Sequence, residues 1–220
     1  MGYADLAPGT HADRMRDHWW WRPGWRVGQR AYTWHITFEG QEQLHRLARH
    51  HQNTLSAVPG LDLVPLEWLH LTMQGVGFVG DVEPSEVSRV IAETRTRLAQ
   101  LPGVALTFGP LIVADEAIVL PAEPESAVKD VRTTIREGIA AALGWERVGE
   151  DPDRFRPHVS VAYSNTDHDT RPLVELLEQN PAERVTVEVP AASLIVIHRD
   201  QKVYQWETVE EVPIGQRHSL

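Results

Sequence analysis

The sequence predicts an α/β (α+β) fold of two lobes related by a pseudo-twofold axis. Two antiparallel-rich sheets line a central cleft, and helices cover their outer faces. Three observations lead there. Two four-residue stretches echo each other, His70-Leu71-Thr72-Met73 and His158-Val159-Ser160-Val161, each in a run rich in apolar and β-branched residues. The elements around them repeat in order: strand, helix, motif strand, helix, strands, and then the same again. No Gly/Ser linker separates the halves, so they are expected to share one core. Side-chain identity between them is slight outside the motifs, which makes this a repeat of pattern only.

Taken in order, residues 1–30 form an arm of little periodicity. Its distinctive run is Trp19-Trp20-Trp21-Arg22-Pro23-Gly24-Trp25-Arg26. Interleaved Trp and Arg have the chemistry to stack on bases. The plainer reading, packing of the arm onto the core with a turn at Pro23-Gly24, is preferred because large aromatics mostly serve burial. A single bilobal domain over 31–213 follows, with a tail at 214–220. Its first strand, 31–39, alternates cleanly: Tyr32, Trp34, Ile36 and Phe38 on one face, Thr33, His35 and Thr37 on the other. A helix runs from about Gln41 to Val58 on Leu44, Leu47, Ala48, His51 and Leu55, and Pro59-Gly60 ends it. The strand region from Leu61 carries the first motif. Glu83-Pro84-Ser85 opens a second helix, stopped by Pro102-Gly103, and strands follow at 104–108 and 111–114.

The second half starts with a strand at 117–120. A helix from about Pro124 carries Val128, Val131, Ile135, Ile139 and Leu143 in one stripe, with Gly144 at its end. Residues 145–154 read as loop and 155–163 as the second motif strand. A short helix near 170–180 precedes strands at 185–189, 194–198 and 203–209, with Asp200-Gln201 at the last turn.

On a strand, alternate residues share a face, so His70 projects with Thr72 and His158 with Ser160. A half-buried strand shows such groups outward when something beyond the core uses them. Two histidines facing one phosphorus suit acid–base catalysis, because an imidazole near its ordinary pKa supplies either a neutral or a protonated partner. The hydroxyls of Thr72 and Ser160 would hold the non-bridging oxygens. His35 has two readings, lining the cleft or bonding locally, and Trp68 reads equally as a base-stacking wall or a core edge. Tyr163 falls opposite His158 by strict alternation and reaches the cleft only if the strand bulges or ends first. Arg156 would share the His158 face and neutralise phosphate charge, or else pair with Asp151 or Asp153. His45, His50 and His51 read as surface or packing residues, and His198 and Arg199 are left open.

Composition narrows the classes. The 220 residues include no cysteine, which excludes disulfides, thiol catalysis and Cys-ligated metals. A formal net charge of −10 argues against a protein that holds long duplexes through many phosphates. No apolar run approaches a membrane span and the Arg-, His- and Trp-rich start lacks a signal-like apolar region, so a cytoplasmic protein with no membrane partner is expected. A zinc site is disfavoured, since no closely spaced His pair includes a motif histidine. A non-catalytic module that binds a nucleotide or RNA end is the main alternative to an enzyme.

The paired motifs, in matching strand contexts and with an internal repeat, resemble the 2H phosphoesterase superfamily, in the branch of 2′-5′ RNA ligase-like proteins and RNA cyclic phosphodiesterases. The resemblance covers roughly Ala31 to Pro213. It implies a metal-independent enzyme acting on 2′,3′-cyclic phosphate or 2′-5′ phosphodiester bonds of a nucleotide or RNA terminus; no cofactor and a monomer are separate expectations. His70 and His158 would be the catalytic pair, with Thr72 and Ser160 as phosphate donors. Arg156-Pro157 fit the basic residue and proline that members often carry before the second His.

Overall fold

The computed structural model describes residues 3–215. The first two residues of the predicted arm, and 216–220 of the predicted tail, lie outside the described residues. In chain order the elements are β1 (Arg14–Met15), β2 (Ala31–Thr37), α1 (Glu42–Leu55), β3 (Leu61–Leu63), β4 (His70–Phe78), α2 (Pro84–Leu98), β5 (Val104–Phe108), β6 (Ile112–Val113) and β7 (Ala117–Glu123). There follow α3 (Glu125–Leu143), β8 (His158–Ser164), β9 (His168–Asp169), α4 (Arg171–Glu178), β10 (Val185–Val189), β11 (Ala191–His198) and β12 (Gln205–Pro213).

Two antiparallel sheets face each other. One has the order β12-β11-β2-β4, the other β10-β5-β7-β8-β3 with β6 paired to β7. The motif strands β4 and β8 occupy equivalent places, each beside the first strand of its own half, β2 and β7. Other strands are exchanged: β3, β5 and β6 of the first half join the second sheet and β11 and β12 of the second half join the first, while β10 stays with its own half. The helices follow this weave. α1 packs on β8 and β10, α3 on β4 and β7, and α2 on α3 and β12.

Local chemistry sets the helix limits. Pro84 starts α2 where its missing N–H costs nothing, and the Glu86 carboxylate accepts the Glu83 N–H at 2.9 Å. Gly144 ends α3 at φ +93°, a conformation disfavoured for residues with a Cβ. One apolar core runs through both lobes, from Trp34, Phe38 and Met73 to Phe108, Val161 and Ile135. Met15 and Trp19 of the N-terminal segment belong to it. Among the described residues no helix is long and apolar enough to cross a membrane.

Several expected boundaries change. Leu61–Leu63 does not run into the first motif: it pairs with β8, and a 3₁₀ turn at Leu66–Trp68 carries the chain across to β4. Pro65 at the head of that turn breaks the extended run. The second motif strand begins at His158, after Pro157, and the last strand continues to Pro213.

Candidate active site

A cleft of about 770 Å³ lies between the sheets, and His70, Thr72, His158 and Ser160 all line it. The two motifs are built alike. In each, Nδ1 of the His sits 2.8 Å from the carbonyl oxygen two residues earlier, Trp68 for His70 and Arg156 for His158. A carbonyl only accepts, so Nδ1 carries the proton and Nε2 of each ring is left as the free acceptor. In each, the apolar residue closing the motif is a β-bulge. Thr72 pairs with His35 and Gln74 with Trp34, which leaves Met73 unpaired; Ser160 pairs with Val119 and Ala162 with Ile118, which leaves Val161 unpaired.

The bulges free backbone carbonyls inside the protein, where an unsatisfied acceptor is costly. Side chains from the covering helices meet them. Arg132 of α3 donates Nε–H to Met73 O at 2.7 Å, and Gln52 of α1 donates to Val161 O at 3.0 Å beside the Val64 N–H, also at 3.0 Å. The phase change after the second bulge also brings Tyr163 round to the cleft side. Strict alternation places it opposite His158; the extra residue reverses that. There it neighbours the Ser160 hydroxyl, and burial pushes its phenol pKa up.

His35 reaches the cleft as well. Its ring stacks on that of His70, 4.5 Å between centroids and 2° from parallel, and Trp206 meets both edge-on. Trp68 and Arg156 are not brought to the cleft lining. Trp68 packs edge-on against Trp206 at 4.7 Å and serves the site through its carbonyl. Arg156 precedes β8, so strand alternation does not govern it. Its guanidinium donates to Tyr3 O and Leu6 O at 3.3 and 2.7 Å, covers the Tyr3 ring, and lies 3.7 Å from Glu125. Of its two readings, the ion-pair one is nearer, with Glu125 in place of Asp151 or Asp153.

Electrostatics favour neutral imidazoles in the cleft. Burial lowers the His70 pKa to about 4, partly offset by the Trp68 carbonyl and reinforced by the charges of His158 and His18. Burial likewise lowers His158, against the pull of the Arg156 carbonyl, and holds His35 well below the ordinary range with His70 adding to it.

Several cleft residues were not among the individual candidates read from the sequence. Tyr3, Arg16, His18, Arg22 and Trp25 come from the arm, Asp115 and Glu116 from the turn before β7, and Tyr204 from the β11–β12 connection. The ring of His18 stacks on Tyr163 at 4.1 Å, its Nε2 is 3.1 Å from the Tyr204 hydroxyl, and its Nδ1 is 3.3 Å from Glu116 Oε2. Burial pushes the Glu116 carboxyl up, but bonds from His18, Trp20 and Arg22 outweigh it and hold the pKa at about 2. The density of His, Trp and Arg in 11–26 was the only signal to be found there, and it reads equally well as packing.

Comparison with known proteins bears on this geometry. The solved structure of TT0787 from Thermus thermophilus is similar, with a TM-score of 0.61 at 19% identity over 86% of this chain and all of that one. Escherichia coli LigT complexed with 3′-AMP gives 0.63 at 14% identity over 86% and 99% of the two chains. A conserved protein of unknown function from Agrobacterium tumefaciens, ATU0111, gives 0.53 at 16% identity over 95% and 93%. At these identities the likeness is one of fold. No curated protein sequence gave a significant match. The family model described as the 2′-5′ RNA ligase superfamily matches residues 39–201, which contain both motifs and most of both lobes, and the chain belongs to that superfamily.

Proposed function

We propose that the cleft is the active site of a metal-independent phosphodiesterase that opens 2′,3′-cyclic phosphate or 2′-5′ phosphodiester bonds in nucleotides or RNA ends. The observation carrying this reading is the matched pair of histidines, each with Nδ1–H tied to the carbonyl two residues back and Nε2 free in one cleft. One neutral His takes a proton from water as its oxygen attacks phosphorus. The other, protonated, gives its proton to the ribose oxygen as the P–O bond breaks. Thr72 and Ser160 donate to the non-bridging oxygens, where charge accumulates. His35, stacked on His70, holds that ring in place. The structures of LigT complexed with 3′-AMP, ATP and NADP+ support a nucleotide as the ligand class. The family description also supports a second reading, the joining of RNA ends through 2′-5′ bonds, which is the reverse reaction at the same residues.

The test is turnover of each common ribonucleoside 2′,3′-cyclic phosphate in EDTA, with products resolved as 2′- or 3′-monophosphates. His70→Ala and His158→Ala should each reduce kcat on the order of 10²–10⁴-fold, the usual size of acid–base assistance. Activity abolished by EDTA and restored by a divalent metal would sink the two-histidine reading. Nucleotide binding without turnover, equal in wild type and a His70→Ala/His158→Ala double variant, would leave a binding module.

A further inference from the structure

The N-terminal segment is not appended to the molecule; it crosses the cleft from one lobe to the other. On the side of the second motif its backbone is tied down by Ala12 N to Val113 O, Arg16 N to Asp115 O and His18 N to Ser164 O, at 2.7–2.8 Å. On the other side the turn after β11 holds it. Buried Arg199 donates to His18 O and Trp20 O, and the Asp200 carboxylate accepts from Gly28 N and Arg30.

Its side chains complete the wall between these ties. Tyr3 stands edge-on to His158 at 5.0 Å, and Trp25 edge-on to Phe78, the last residue of the first motif strand, at 5.4 Å. Gly24 makes the second contact possible: it has φ +81°, and a Cβ there would come within 2.6 Å of the Phe78 ring. In the middle, Glu116, His18 and Tyr204 lie in a line: His18 Nδ1 stands 3.3 Å from Glu116 Oε2, and its Nε2 hydrogen-bonds the Tyr204 hydroxyl at 3.1 Å.

Charge in this wall is already spent. Arg16 bridges Asp115 and Glu116 at 3.0 and 3.2 Å, and Arg22 meets Glu116 at 2.7 Å. With neutral histidines the lining holds two guanidiniums against the carboxylates of Asp115, Glu116 and Glu150. A polyanion needs an uncompensated basic track beyond the reacting phosphate. The motif hydroxyls, with one histidine protonated at Nε2, supply donors for one phosphate group.

We infer that the segment from Tyr3 to Trp25 is the specificity element of this cleft, admitting a small nucleotide with one reacting phosphate and excluding the body of an RNA chain. The inference rests on the function proposed above and names its substrate class, a nucleoside cyclic phosphate or a 2′-5′ dinucleotide.

The test compares kcat/KM for nucleoside 2′,3′-cyclic phosphates with that for a short RNA oligonucleotide ending in the same cyclic phosphate, using the full chain. Binding of a nucleoside 3′-monophosphate and of the same RNA with a 3′-phosphate is measured in parallel. Preference for the small substrate by about tenfold or more supports the inference, being a difference beyond about 1.4 kcal/mol. Equal or better use of the RNA overturns it. Turnover of neither rejects the proposed function, and the binding pair then decides: tighter or equal binding of the RNA overturns the inference, and binding of neither overturns both. Gly24→Ala, which drives Trp25 off Phe78, and Trp25→Ala should each raise the ratio of RNA to small-substrate use by about tenfold. An unchanged ratio in folded samples of both would show that the arm is not the wall.

Discussion

Each motif histidine depends on a carbonyl two residues upstream, and that bond decides its chemistry. With Nδ1–H fixed, the ring presents Nε2 to the cleft, and burial keeps both rings neutral in the free protein. Two-histidine catalysis needs one of them protonated. Because kcat/KM reports the free enzyme, its pH profile should be bell-shaped with its apex below about 6.5, the ordinary imidazole value. A bound phosphate anion favours the imidazolium, so the kcat profile should lie at higher pH than the kcat/KM profile. Initial rates across about pH 4 to pH 9 check both, and a kcat/KM apex on the alkaline side would contradict the burial argument. The apparent values belong to the pair, since His70 feels the charge of His158.

The bulges set the aim of each motif, and the helices opposite hold the bulges. Arg132 is almost fully buried, bonds Met73 O, reaches Glu150 at 2.9 Å and lies over the Phe155 ring at 4.4 Å. Replacing it with Met keeps the stem but orphans the bulge carbonyl. Arg132→Met should therefore lose about 1–3 kcal/mol in urea unfolding, the cost of an unmade buried bond. Loss within about 0.5 kcal/mol, the range of ordinary surface substitutions, would show that the carbonyl finds another donor. Most of this level was legible in sequence. Helix stripes, the β2 alternation and the motif strands appear where periodicity put them. Tyr163 was legible only on condition that its strand bulges, because a bulge is a defect in pairing between two strands and leaves no trace in the alternation of either. Arg156 was misplaced for a related reason: strand phase was extended to a residue that lies outside the strand.

At the scale of the whole molecule, buried neutral histidines tie stability to pH. His18, His35, His51, His70 and His158 all have pKa values lowered by burial, His51 and His70 to about 4. The unfolded chain binds protons near 6.5 while the folded chain resists them, so stability is complete above about 6.5 and falls as pH drops toward 4. Thermal unfolding should show a lower Tm at about pH 5 than at about pH 7.5, and an equal or higher Tm at the acid pH would refute it. The Glu116 carboxylate, held at about 2, adds its loss only below its ordinary range near 4.5.

The sequence by itself determined the two motifs, the helical and strand periods, the two-lobed repeat and a pairing of histidines suited to phosphoryl chemistry. These are local or periodic properties, set by which side chains share a face within a few residues. Only the tertiary structure decided the rest. Strands β3, β5, β6, β11 and β12 are exchanged between lobes, His35 stacks on His70, and the arm crosses the cleft with His18 at its centre. Each of those depends on contact between segments distant in the chain, such as His18 with Tyr163 and Tyr204. Residue order carries no period or spacing that encodes such contacts; they are selected when the apolar faces close on one core and the polar groups left at its edge find partners.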